Sequence, residues 1–150
     1  IFADGKSSRL HKALIDPGLA TSLFMYDFPF KDNGLFITYA FLNPGENHKN
    51  IEDIILSNYR DIIKNGVTDD EINRAKAQTK ATVAFSRDGS YSVASAINEA
   101  LAIGDWTFYT TFLEKINSVS KKEIMKIAQN YLIDKHKTTG WFISSNNGNI

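Results

Sequence analysis

The stretch Gly5–Ser22, GKSSRLHKALIDPGLATS, decides how the rest of the chain is organised. Ser7 and Ser8 carry hydroxyls able to accept from the unpaired amides of a first helical turn, and Leu10, Leu14 and Ile15 put apolar groups on one helix face. Pro17 and Gly18 then stop the helix. From Leu19 the period changes to two, with Ala20, Ser22, Phe24, Tyr26 and Phe28 on one side and Leu19, Thr21, Leu23 and Met25 on the other. The stretch predicts a short helix running directly into a β-strand, Leu19 to Phe28.

Working outward, Pro29 to Gly34 is turn chemistry, and Leu35 to Leu42 is rich in β-branched and aromatic residues, so the two strands should pair as an antiparallel hairpin. After Pro44 there is no further proline, and helical periodicity runs from about Asn50 to Ile133. Five helices fit that span. The first, about Asn50 to Asn65, carries an apolar stripe of Ile51, Ile54, Ile55, Tyr59 and Ile62 and stops at Gly66. Thr68 with Glu71, and Ser120 with Glu123, have the spacing of reciprocal capping boxes and start the second and fifth helices. The second has the stripe Ile72, Ala75, Thr79 and Val83; the fifth has Ile124, Ile127, Ala128 and Tyr131. Ser90 should cap a third helix, Tyr91 to Ile103, and Asp105 a fourth, reaching about Ile116 with the inner stripe Trp106, Tyr109, Leu113 and Ile116, widened by Phe108 and Phe112. A last strand is expected from Thr138 to Ser144. The fold class that results is α+β: two layers, a mostly antiparallel sheet packed against several helices.

Composition excludes several function classes. With 150 residues and 43% hydrophobic content the chain can bury a core of its own, and Lys plus Arg balance Asp plus Glu at 17 each, without the basic excess that nucleic acid or an anionic membrane would select. The absence of cysteine removes disulfides, thiolate metal sites and a thiol nucleophile. The longest apolar run, Leu35 to Leu42, is far short of the roughly 20 residues a membrane helix needs. The chain begins at Ile1 without an initiator methionine or a signal-like segment, which reads as an internal or processed piece of something longer.

Nor does any local motif carry chemistry. A hydrolytic zinc site draws on three His or carboxylate ligands, often with two a helical turn apart, whereas His11, His48 and His136 are widely separated and read as surface residues. Asp69, Asp70 and Glu71 occupy a first helical turn, where negative charge complements the helix dipole. There is no glycine-rich phosphate loop and no G-x-S-x-G elbow. Trp106, Phe108, Tyr109 and Phe112 have packing periodicity, as core or as a domain contact.

Three stretches, GKSSRLHKALIDPGLA, GVTDDEINRAKAQTKATV, and SYSVASAINEALAIGDWTFYTTFLEKINSVSKKEIMKIAQNYL followed by TTGWFIS, are together similar, in order, to the insulinase/pitrilysin-type (inverzincin) zinc metallopeptidase family. They resemble the C-terminal part of one family domain. The family's catalytic signature, H-x-x-E-H with a more distant glutamate, is absent from this sequence and would lie upstream. The opposing half of such peptidases carries an Arg and a Tyr in R-x-x-x-G-L-A-Y; here Leu14 and Thr21 stand at those places, and neither supplies a guanidinium or a phenol for stabilising a developing oxyanion.

The resemblance implies a part of a zinc-dependent metalloendopeptidase, supporting the catalytic subdomain and walling the substrate chamber; the alternative is a non-catalytic half or interaction domain used for assembly. Residues 1–144 are expected to form the domain part and 145–150 a polar tail. No residue here is expected to act in catalysis, bind a cofactor or ligate metal; zinc belongs to the parent protein. The implied partners are the upstream catalytic subdomain, the opposing half and a peptide substrate, with no nucleic acid and no membrane insertion.

Overall fold

The computed structural model describes residues 1–32 and 34–143. Helical winding begins at Arg9 and widens over His11–Ile15 into a π-turn, in which the Asp16 amide donates to the carbonyl of His11 at 3.0 Å. We call this the junction helix. Its capping departs from expectation. Ser8 is fully buried, and its hydroxyl has no protein partner among the described residues. The amides of Arg9 and Leu10 instead donate to the carbonyls of Ile1 (3.1 Å) and Phe2 (2.8 Å), so the first two residues of the chain cap this helix through their backbone.

Gly18 takes the left-handed conformation, φ +76°, that turns the helix into β1, Ala20–Phe28. β1 pairs antiparallel with β2, Leu35–Leu42, in the register Phe24↔Tyr39, Met25↔Thr38, Tyr26↔Ile37. A bulge between Ala20 and Ser22 shifts the strand's phase. Ala20 therefore lies in the core beside Leu14 and Ile51, with Leu23 packed against that cluster, rather than on the side of Phe24. Thr21 is exposed, its hydroxyl donating to the carbonyl of Phe41 at 3.0 Å.

Among the described residues five α-helices follow: α1 His48–Asn65, α2 Asp69–Ser86, α3 Ser90–Ala102, α4 Thr107–Ser118 and α5 Lys121–Tyr131. Both capping boxes form, Thr68 with Glu71 and Ser120 with Glu123. Asp105 accepts from the Thr107 amide at 2.9 Å at the start of α4. Ser90 makes no capping bond; it is the first residue of α3, and Gly89, φ +91°, precedes it. No residue of α4 is buried, Trp106 is exposed just before it, and Ile127 and Tyr131 of α5 are also exposed, so these two stripes are only partly covered. The strand expected at Thr138 to Ser144 is not found over its described part, Thr138 to Ile143; Ser144, like the tail 145–150, lies outside the described residues. A strand requires a hydrogen-bonding neighbour as well as β-propensity. The segment is tied to α1 instead, by Lys137 and Thr139 donating to Glu52 at 3.2 and 3.1 Å.

α1 is the spine of the molecule. Ile51 joins Leu14 and Ala20 in one apolar cluster, against which Leu23 and Ala40 of the hairpin pack, while Ile62 joins Val67 and Ala128 in a second, which Ile1, Phe2, Ile124 and Leu132 extend. The two buried isoleucines are three helical turns apart on one stripe. The result is an α+β arrangement: one face of a two-stranded antiparallel sheet against helices, with the other face left open.

Candidate functional site

The residues that sequence reasoning singled out are dispersed. His11 sits in the junction helix with Nδ1 3.1 Å from Asp16, the His48 ring lies 6.3 Å from that of Trp141, and His136 is in a 3₁₀ turn, Asp134–His136, across the molecule's C-terminal segment. Among the described residues no three His, Cys, Asp or Glu side chains come together as a metal site. The described residues therefore offer no ligand set for the zinc that the resemblance places in the parent protein. Leu14 is fully buried and Thr21 is engaged with the backbone of β2.

The acidic run at the start of α2 has separate partners. Asp69 pairs with Lys121 at 2.9 Å. Glu71 closes the Thr68 capping box and also receives Arg9: Nε donates at 2.6 Å and Nη2 at 2.9 Å, a bidentate pair. The hydrogen bonds from Arg9 hold the Glu71 carboxyl down at about 2, helped by the Thr68 amide and opposed by desolvation. Arg9 further donates to Asp61 at 2.6 Å and to the carbonyl of Gly66 at 3.0 Å. One guanidinium thus clasps the junction helix to the end of α1 and the start of α2. No periodicity or motif marked Arg9 for this role, because its partners are 52 and 62 residues away.

The open face of the hairpin is the feature the sequence did not disclose. Alternation alone places Ser22, Phe24, Tyr26 and Phe28 of β1 beside Phe41, Tyr39, Ile37 and Leu35 of β2, yet says nothing about which face is covered. In the fold α1 covers the Leu23 and Ala40 side, and Phe24, Tyr26, Phe28, Leu35, Tyr39 and Phe41 remain 42% to 56% exposed. None of the eight side chains on the open face is charged. The Phe24 and Tyr26 rings stack at 6.4 Å, Tyr26 and Phe28 lie 5.9 Å apart, and Phe41 meets Phe24 edge-on at 6.1 Å. Phe24, Tyr26, Tyr39 and Phe41 frame a shallow concavity of ≈ 250 Å³. Such a surface has the chemistry to hold apolar groups, and its polar groups are the hydroxyls of Ser22, Tyr26 and Tyr39.

The chain is 30% identical over 132 residues to the mitochondrial-processing peptidase subunit beta of Lentinula edodes, and 24% identical over 140 residues to the zinc protease PqqE of Helicobacter pylori. These alignments take in 86% and 93% of this chain but only 28% and 32% of the relatives, so the chain spans about three-tenths of their length. In fold it superposes on an inactive peptidase domain from Bordetella parapertussis with a TM-score of 0.87 at 23% identity, covering 100% of this chain and 80% of that one. The profile of the family described as "Peptidase M16 inactive domain" matches residues 1–79, which contain the junction helix, the hairpin, α1 and the Arg9 clasp. Since that match takes in more than half of the chain, this protein belongs to the M16 peptidase family, as a domain of its inactive type.

Proposed function

We propose that this chain is a supporting part of a zinc-dependent metalloendopeptidase, bracing the catalytic subdomain and walling the chamber in which peptides are hydrolysed. The observation that carries the reading is the one-sided hairpin: a sheet backed by α1 on one face and presenting an uncharged aromatic surface on the other. Zinc would be held entirely by the rest of the parent protein, since the side chains described here do not converge on a metal. Residues 1–144 would form the domain part and 145–150 a polar extension. Its partners would be the upstream catalytic subdomain, the opposing half and the peptide itself. The test is to co-express this chain with the remainder of its parent polypeptide and measure peptide hydrolysis per mole of zinc-loaded complex. Hydrolysis should require the chain; undiminished hydrolysis in its absence overturns the proposal.

A second reading, a non-catalytic half used in assembly, draws on the exposed Phe85, Tyr91, Leu101 and Trp106 around α2, α3 and α4. It would be favoured if the parent sequence upstream lacks H-x-x-E-H and the chain purifies as a stoichiometric subunit of a complex without hydrolytic activity.

A further inference from the structure

We propose that the open face of the β1–β2 hairpin is a peptide subsite that selects extended, uncharged segments with apolar side chains at alternate positions. The inference rests on the chamber-wall reading and specifies what that wall would recognise.

Three observations favour this occupant. The first is spacing. Successive ring centroids along β1 are 6.4 and 5.9 Å apart, close to the two-residue repeat of roughly 6.6 Å in an extended chain. Alternate side chains of a peptide lying along the strand would meet the gaps between Phe24, Tyr26 and Phe28 in step. The second is charge. A carboxylate pressed onto a face of Phe, Tyr, Leu and Ile would lose hydration, find no counter-charge and meet the negative faces of the rings, while the phenol hydroxyls of Tyr26 and Tyr39 suit the polar peptide groups in between.

The third is area. Six large side chains, each about half exposed, present on the order of 600 Å². That is at the upper end of what a monomer leaves uncovered, and less than the roughly 800 Å² per partner of a standard stable interface. A second copy of the chain seated on this face would be under-sized, whereas a single extended segment, narrower than a sheet, needs no more. Strand addition at a hairpin edge would be a different mode, reading backbone and tolerating most side chains.

The test uses the full chain and a fluorescein-labelled nonapeptide alternating threonine with leucine or phenylalanine, its affinity measured by anisotropy. An analogue with glutamate at the alternating apolar positions should bind at least about tenfold more weakly. The double variant Phe24→Thr, Tyr39→Thr should lose a similar factor while its melting temperature stays within a few degrees, because neither residue is in the core and threonine keeps strand propensity. The variant Asp27→Ala, on the opposite face, should bind like the wild type and controls for general damage to the hairpin. Equal binding of the glutamate analogue, full binding by the double variant, no saturable binding by about 1 mM peptide, or sedimentation showing the face closed by a second copy would each overturn the subsite. A chain that fails these tests yet is still required for hydrolysis in the co-expression assay refutes only the subsite, so the two failures are separable.

Discussion

Arg9 and Glu71 are the pair on which the junction's rigidity rests, and their chemistry predicts how stability responds to pH. The Glu71 carboxyl is held at about 2 in the fold against an ordinary 4.5. A depressed carboxyl stabilises fully above its unfolded value, and the contribution is lost as pH falls from about 4.5 through about 2. Urea unfolding of wild type and Glu71→Gln should therefore differ most at neutral pH, with the gap closing across that window. Arg9→Ala, which takes the cation from Glu71 and Asp61 and leaves Glu71 with its Thr68 bonds alone, should cost on the order of 2 kcal/mol at pH 7. Leu14 and Thr21 make a second contrast. Leu14→Ala empties a fully buried site and should lower stability by about 2 to 5 kcal/mol, whereas Thr21→Ala removes one exposed hydrogen bond and should cost less than about 1 kcal/mol. Neither change should reduce hydrolysis per folded molecule in the parent complex, because Leu14 has no donor and the Thr21 hydroxyl, which is neither a guanidinium nor a phenol, donates to the carbonyl of Phe41. A roughly hundredfold fall in turnover for Thr21→Ala at unchanged melting temperature would place this junction in the chemistry.

At the scale of elements, the helix starts follow from short-range hydrogen bonds. Ser120 and Glu123 satisfy each other's backbone amides at the start of α5, with Glu123 Oε2 receiving the Ser120 amide at 2.8 Å. Ser120→Ala should therefore cost about 1 kcal/mol, read by denaturant unfolding followed by helical circular dichroism. Ser90→Ala should have no comparable effect, since Ser90 makes no cap. The same distinction explains the junction helix. Ser7 and Ser8 have the right chemistry for a cap, but the carbonyls of Ile1 and Phe2 reach the first-turn amides, and Phe2 is held there by edge-on contact with Tyr59 at 4.9 Å. A residue that merely can cap loses to backbone that packing has already placed.

At the scale of the molecule, the dispersed histidines predict no stoichiometric zinc uptake by the chain alone in calorimetry; tight one-to-one binding abolished by changing His11, His48 or His136 would contradict it. The open aromatic face and the exposed Phe85, Tyr91, Leu101 and Trp106 around α2 to α4 predict hydrophobic dye binding above that of a typical monomer. The chain's own sequence determined whatever depends on neighbours a few residues apart. The β1–β2 hairpin, the ends of α1 and α2, and both capping boxes arise from alternation, helical stripes, glycine stops and i,i+3 hydrogen bonds, all written locally. Tertiary structure decided whatever needs a distant partner. Ala20 faces the core because a bulge changes the strand's phase where it meets Leu14 and Ile51. Trp141, Phe142 and Ile143 have strand chemistry without a strand, since pairing requires a neighbouring backbone that β-propensity cannot supply. Which face of the hairpin stays open was settled by α1 docking against the other, through burial summed over residues from three separate segments.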